Sequence, residues 1–265
     1  MEIPMFITTL LLLAIFGARV HEGIETKHIE YSSEGVTLKG YLAYEAHAMD
    51  KRPGILVVHE WWGQNEYARK RAEMLAELGY VALAVDMYGE GKLADHPNDA
   101  GTFATEVMKN MPMMRARFLA ALDALWKNSL VDPDRIAAIG YCFGGGVVLN
   151  MARAGTDLRG VVSFHGSLST GTPAEKGKVK ASVLVCNGAA DQMISAGDLE
   201  KFEEEMAAAG AKYKVVSYEG AMHSFTNPGS TEMGKKFDIP IAYDAAADKK
   251  SWEDMKEFLN EVLKK

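Results

Sequence analysis

The sequence predicts an α/β fold, a mostly parallel central sheet with helices on both faces in three layers. Three observations carry that prediction. Short continuous apolar runs such as ILVV (55–58) and VALAV (81–85) have the character of strands buried on both faces, as parallel strands are. They alternate with longer segments whose apolar residues fall three and four apart, the spacing of amphipathic helices. No Pro/Gly/Ser-rich linker interrupts the alternation, so residues 23–265 are expected to form one domain.

The elements follow in order. VTLKGYLAY (36–44) alternates with period two, as a half-buried antiparallel strand does. GILVVHE (54–60) starts after a Pro-Gly signal and reads as a buried strand. NEYARKRAEMLAELGY (65–80) places Ala68, Ala72, Leu75, Ala76 and Leu78 at helical spacing and stops at Gly79. VALAVDMYG (81–89) is the next buried strand. Residues 98–109 and 113–127 read as two helices separated at Pro112, which cannot sit inside a helix. RIAAIGYC (135–142) is a strand that runs directly into a helix ending near Gly155. Strands are predicted at 160–166, 182–188 and 213–220, and helices at 199–210 and 251–265.

Composition narrows the function. Of 265 residues, 48% are apolar and 25% charged, ordinary for a globular protein. A formal charge of −7 argues against nucleic acid as a partner, since phosphate binding needs a basic stripe. Two cysteines cannot build a disulfide framework, and His59-Glu60 lacks the second histidine of a helical zinc motif, so no metal or other cofactor is expected. Residues 5–17, MFITTLLLLAIFG, are too few to span a bilayer, which takes about 20 residues. Their length suits the apolar core of a secretory signal. Residues 1–22 are therefore expected to be a leader and the mature domain to be periplasmic or secreted, without a membrane partner. Glu2, in place of a basic start, and the lack of a clean cleavage site weigh against a leader; the alternatives are an uncleaved anchor or a misassigned start, and a cytoplasmic protein if the segment is not a signal.

The chemistry gathers at the carboxyl ends of the strands, where open parallel sheets bind ligands. Those ends deliver His59, Glu60 and Trp61, then Asp86 and Tyr88, Cys142, His165, Asp191 and His223. Cys142, Asp191 and His223 stand in the order nucleophile, acid, base, which is the chain order of the α/β-hydrolase triad. Gly140-Tyr141-Cys142-Phe143-Gly144 matches the nucleophile elbow with sulfur in place of oxygen. The Phe143 N–H would face the site as half of an oxyanion hole, and the helix N-terminus favours thiolate. His223 would move the proton while Asp191 holds its ring, with Asp86 the acid to consider should Asp191 lie elsewhere. Cys186 reads as core, and His47, His96 and His165 as structural or surface. A redox role for Cys142 lacks the resolving cysteine of a C-x-x-C pair. Glu60 reads as a buried acid that needs a partner, with a raised pKa.

VVHEWWG (57–63), AVDMYG (84–89), GYCFGGG (140–146), NGAADQMI (187–194) and AMHSFTNP (221–228) together resemble the dienelactone hydrolase family. The resemblance implies a single α/β-hydrolase domain that cleaves carboxylic esters or lactones through an acyl-enzyme. It also implies that Glu60 sits beside the thiol and is released when substrate binds, and that the Trp61 N–H completes the oxyanion hole. Where the family holds a substrate carboxylate with two arginines, this chain has Glu90 and Asn227. Without that bidentate fork, dienelactone is a poor expectation. Trp61, Trp62, Tyr88, Phe143 and Phe225 suggest a small neutral or aromatic substrate instead, with Lys92 and Arg115 as the cations still able to replace the arginines. The competing functions are an acyl transferase using the same triad and a non-catalytic ligand-binding homologue. The expected assembly is a monomer or a homodimer.

Overall fold

The computed structural model describes residues 23–264. The expected leader over 1–22 lies outside them. Eight strands form one sheet: β1 (Ile24–Ser33), β2 (Val36–Glu45), β3 (Arg52–Val58), β4 (Val81–Val85), β5 (Val131–Tyr141), β6 (Gly160–Phe164), β7 (Ser182–Gly188) and β8 (Tyr213–Tyr218). Their spatial order is β1-β2-β4-β3-β5-β6-β7-β8. β1 and β2 are antiparallel and every pairing from β4 to β8 is parallel. Six carboxyl ends therefore emerge along one edge.

The helices are α1 (Glu66–Glu77), α2 (Pro97–Met108), α3 (Met111–Trp126), α4 (Phe143–Arg153), α5 (Ala196–Ala209), α6 (Ser230–Phe237) and α7 (Ala245–Val262). Alternate side chains of each central strand enter opposite cores. Leu56 and Val58 belong to the core that α2, α3, α4 and α5 cover, whereas Ile55 and Val57 belong to the core that α1 and α7 cover. This is why those strands read as unbroken apolar runs: neither face meets water.

Two elements were not predicted. β1 carries polar residues at most positions and is largely half-buried or exposed, so its signal is weak; it is fixed by a two-residue turn with Glu34 and Gly35 at φ 50° and 82°. α6 is only eight residues and lies in a stretch to which the sequence pattern assigned no element. Pro112 does not end α2. It occupies the first turn of α3, where a missing N–H costs nothing, and Asn110 caps that helix. α7 starts six residues before its predicted start, capped by Asp244. Among the described residues no helix is long and apolar enough to cross a membrane.

Candidate active site

β5 ends at Tyr141 and α4 begins at Phe143, so the whole change of direction falls on Cys142. It adopts φ 52° and ψ −115°, a region that costs a non-glycine residue on the order of 1–3 kcal/mol. Neighbours hold it there: its N–H donates to the Phe164 carbonyl (3.0 Å) and to His165 Nδ1 (3.1 Å). The Gly144 N–H donates to the His59 carbonyl at 3.1 Å. A Cβ on Gly144 would run into the carbonyl oxygens of Val58 and His59, so only glycine lets α4 approach the end of β3 this closely. The Cys142 thiol is left half-buried above the sheet edge.

His223 follows β8 and turns its ring to that thiol. Its Nε2 lies 3.1 Å from Cys142 Sγ, and its Nδ1 lies 2.8 Å from Asp191 Oδ2. The second Asp191 oxygen accepts the Met193 N–H at 2.8 Å, which fixes the carboxylate. Burial disfavours charge on His223, but negative charge at Cys142 and the hydrogen bond to Asp191 outweigh it and raise the imidazole to about 10. Asp86, the alternative acid, faces another way. Its oxygens accept backbone N–H groups from Lys39, Tyr88, Gly89 and Gly91 and shape the loop after β4.

The model of the dienelactone hydrolase family matches residues 38–263. The chain belongs to that family. As a member it is a carboxylic ester hydrolase. It is 33% identical to the solved structure of m3DLH, with a TM-score of 0.86 over 91% of this chain and 100% of the other. A dienelactone hydrolase-like promiscuous phosphotriesterase from metagenomic libraries is 32% identical, with a TM-score of 0.84 over 94% and 100%. The protein usf of Aquifex pyrophilus is 29% identical over 240 residues, 89% of this chain and 98% of the relative.

Glu60 makes its hydrogen bonds to the loop after β8. Glu60 is 2% exposed, and its two oxygens accept the Ser224 hydroxyl and the Asn227 amide, both at 2.6 Å. Burial pushes its pKa up, and those two hydrogen bonds, with the charges of His223 and Arg71, hold it back. Asn227 is thus a partner of Glu60 and not a substrate contact. A short amide reaches the carboxylate inside the loop, and its own oxygen accepts the Gly229 N–H at 2.9 Å. Ser224, held at φ 56°, is a site residue that the AMHSFTNP stretch does not reveal, since nothing local says which acid it meets.

The aromatic residues expected around a substrate do not all gather in one place. Trp61, Tyr88 and Phe143 gather near the thiol, with the Tyr88 ring 5.4 Å from Phe143 and its hydroxyl donating to the Trp61 carbonyl at 2.9 Å. Phe103, not predicted, extends this aromatic wall beside Tyr88. Trp62 is almost fully buried between Trp61 and Phe237 and backs the wall. Phe225 is fully buried against His165 and Tyr218, because its strained loop turns it into the core. Glu90 accepts the Thr37 N–H at 3.1 Å and ties its loop to β2. Arg115 lines a groove with Asn150 and Arg153 towards the far end of α4. Lys92, over the Phe103 ring, is the predicted cation that stays near the wall.

The support beneath the site was not legible in the sequence. His165, at φ 40° and fully buried, accepts the Cys142 N–H on Nδ1, so its Nε2–H donates to Thr226 Oγ1 at 2.7 Å. Burial, with the charge of His223, keeps it neutral. Thr226 bonds to the Tyr67 hydroxyl (2.6 Å), and Arg71 donates to the Thr226 carbonyl and to Asp248 (2.6 Å). The Cys142 turn and the His223 loop are thereby tied to α1 and α7. Cys186 is core, its thiol pushed up to about 12 by burial. His47 and His96 are exposed, and His96 caps α2. Among the described residues no cluster of three His, Cys, Asp or Glu side chains could hold a metal.

Proposed function

We propose that this protein hydrolyses small neutral carboxylic esters or lactones through an acyl-enzyme on Cys142. The observation that carries the reading is the line Cys142 Sγ, His223, Asp191, at 3.1 Å and 2.8 Å. The Cys142 thiol gives its proton to His223 Nε2 as the sulfur attacks the ester carbonyl carbon, and the oxygen that becomes negative meets the N–H groups of Phe143 and Trp61. Phe143 is the first residue of α4, so its N–H has no acceptor within the helix. As the tetrahedral intermediate collapses, His223 gives its Nε2 proton to the leaving alkoxide. The neutral imidazole then takes a proton from water, which attacks the thioester carbonyl and releases the acid. Asp191 keeps the proton-bearing Nδ1 in place throughout.

With Glu60 occupied by Ser224 and Asn227, the thiol depends on His223 alone for its base. The pair is then ready before substrate arrives. Neutral substrates fit because neither Glu90 nor Asn227 offers a cation and the wall near the thiol is aromatic. Steady-state hydrolysis of a short neutral aryl ester beside dienelactone, for wild type and Cys142→Ala, tests the reading. Turnover of the neutral ester that is lost in Cys142→Ala supports it. Turnover surviving in Cys142→Ala, or none from folded wild type, refutes it. Equal turnover of dienelactone would overturn the substrate preference alone. Export of the mature domain is a further part of the proposal, checked by cell fractionation and by sequencing the amino end of the recovered protein.

A further inference from the structure

His59 follows β3, is fully buried, and makes two hydrogen bonds that the triad does not use. Its Nε2 accepts the Met87 N–H at 3.3 Å. A backbone N–H can only donate, so Nε2 carries the lone pair and the proton sits on Nδ1. That Nδ1–H donates to the Glu60 carbonyl at 2.5 Å, and the Gly63 N–H reaches the same oxygen at 3.2 Å. The Glu60–Trp61 peptide is planar and trans, so its N–H points opposite to its carbonyl. Pinning the oxygen therefore aims the Trp61 N–H. On the other side of Trp61, the Tyr88 hydroxyl holds the next carbonyl at 2.9 Å.

The second donor is referenced to the same residue. The His59 carbonyl takes the Gly144 N–H at 3.1 Å, one residue beyond Phe143. The His59 ring stacks on Phe143 at 5.5 Å and meets the Tyr88 ring at 4.7 Å. We propose that His59 is a positioning residue for the oxyanion site, holding the Trp61 N–H on the oxygen of an ester attacked by Cys142. The inference rests on the ester-hydrolase reading above. Burial lowers the imidazole to about 4, so the neutral tautomer persists at working pH.

The test compares wild type, His59→Leu, His59→Asn and His59→Gln by kcat and KM on a short neutral aryl ester. Alongside, it measures the rate at which iodoacetamide alkylates Cys142. Alkylation forms no oxyanion, so it reports the thiol and its base alone. Losing one aligned donor should lower kcat of His59→Leu about 10²-fold, with KM within about threefold and alkylation within about twofold of wild type. Asparagine puts an amide N–H near the place of Nδ1 and should restore most of kcat, whereas glutamine puts it near Nε2 and should not. An unchanged kcat in His59→Leu overturns the inference, as does alkylation that falls in step with kcat. Should His59→Leu fail to fold, equal kcat for the asparagine and glutamine variants overturns it, and a clear advantage of asparagine supports it. A wild type that alkylates normally but turns over no ester overturns the hydrolase reading and this inference with it. A wild type that turns over ester while His59→Leu matches it overturns this inference alone.

Discussion

Replacing Asn227 with alanine leaves the Glu60 carboxylate one strong donor where it now has two. A hydrogen bond to a charged group contributes about 1.5–3 kcal/mol and a neutral one about 1 kcal/mol. Glu60 is a raised acid: its folded pKa lies above the ordinary 4.5 because of burial, and the Asn227 amide is one of the groups limiting the rise. Such a group binds its proton more tightly in the folded state. Its cost to stability is absent below the unfolded value and grows as pH climbs through the folded one. Asn227→Ala raises the folded pKa further, so its cost should be about 1 kcal/mol at pH 4, where Glu60 is protonated, and should grow towards about 2 kcal/mol as pH rises through the folded pKa, a growth read at pH 8. For a domain of this size about 1 kcal/mol moves Tm by about 2–4 °C, giving losses of about 2–4 °C at pH 4, growing towards about 4–8 °C at pH 8. The bond from the Gly229 N–H to Asn227 disappears at both pH values and cancels in the difference. Thermal unfolding of wild type, Asn227→Ala, Glu60→Gln and the double variant at both pH values measures this. Equal Tm losses at pH 4 and pH 8 would refute the reasoning, and so would a pH difference that persists in the Glu60→Gln background.

Three further outcomes are expected. With His223 raised to about 10, kcat/KM should hold on the alkaline side until near pH 10; Asp191→Asn removes one cause of the rise, so the alkaline limb should move to lower pH and kcat should fall at least about 10²-fold. An unmoved limb in the pH–rate profile of Asp191→Asn would sink the assignment. Arg71→Met breaks a buried pair, leaving Asp248 and the Thr226 carbonyl without their donor, and should cost about 3 kcal/mol or about 6–12 °C in Tm; a loss under about 1 kcal/mol in urea titration would count against it. Gly144→Ala forces α4 away from the end of β3, so soluble protein should show slowed alkylation of Cys142 together with lost ester turnover, and an unaffected alkylation rate would contradict the packing account.

Much of the fold was legible because the signals are local. Runs such as VALAV could only be strands covered on both faces, and Gly140 to Gly144 could only be a sharp passage from strand to helix. Cys142, Asp191 and His223 were found because each follows its own strand end, and parallel strands bring those ends to one edge whatever lies between. What the sequence could not settle were contacts between loops. Glu60 and Asn227 are 167 positions apart, and whether the carboxylate meets the thiol or an amide depends on how the strained turn at Ser224 carries its loop. The same turn takes Phe225 into the core and brings Thr226 to His165. The tautomers of His59 and His165 are likewise decided by which backbone N–H the packing places against each ring. By itself the sequence determined which chemical groups stand at the sheet edge, since the strand-helix alternation marks each strand's carboxyl end and makes the sheet mostly parallel. Only the tertiary structure decided which of them pair, because hydrogen bonds over 2.6–3.3 Å are chosen by loop geometry that no local pattern encodes.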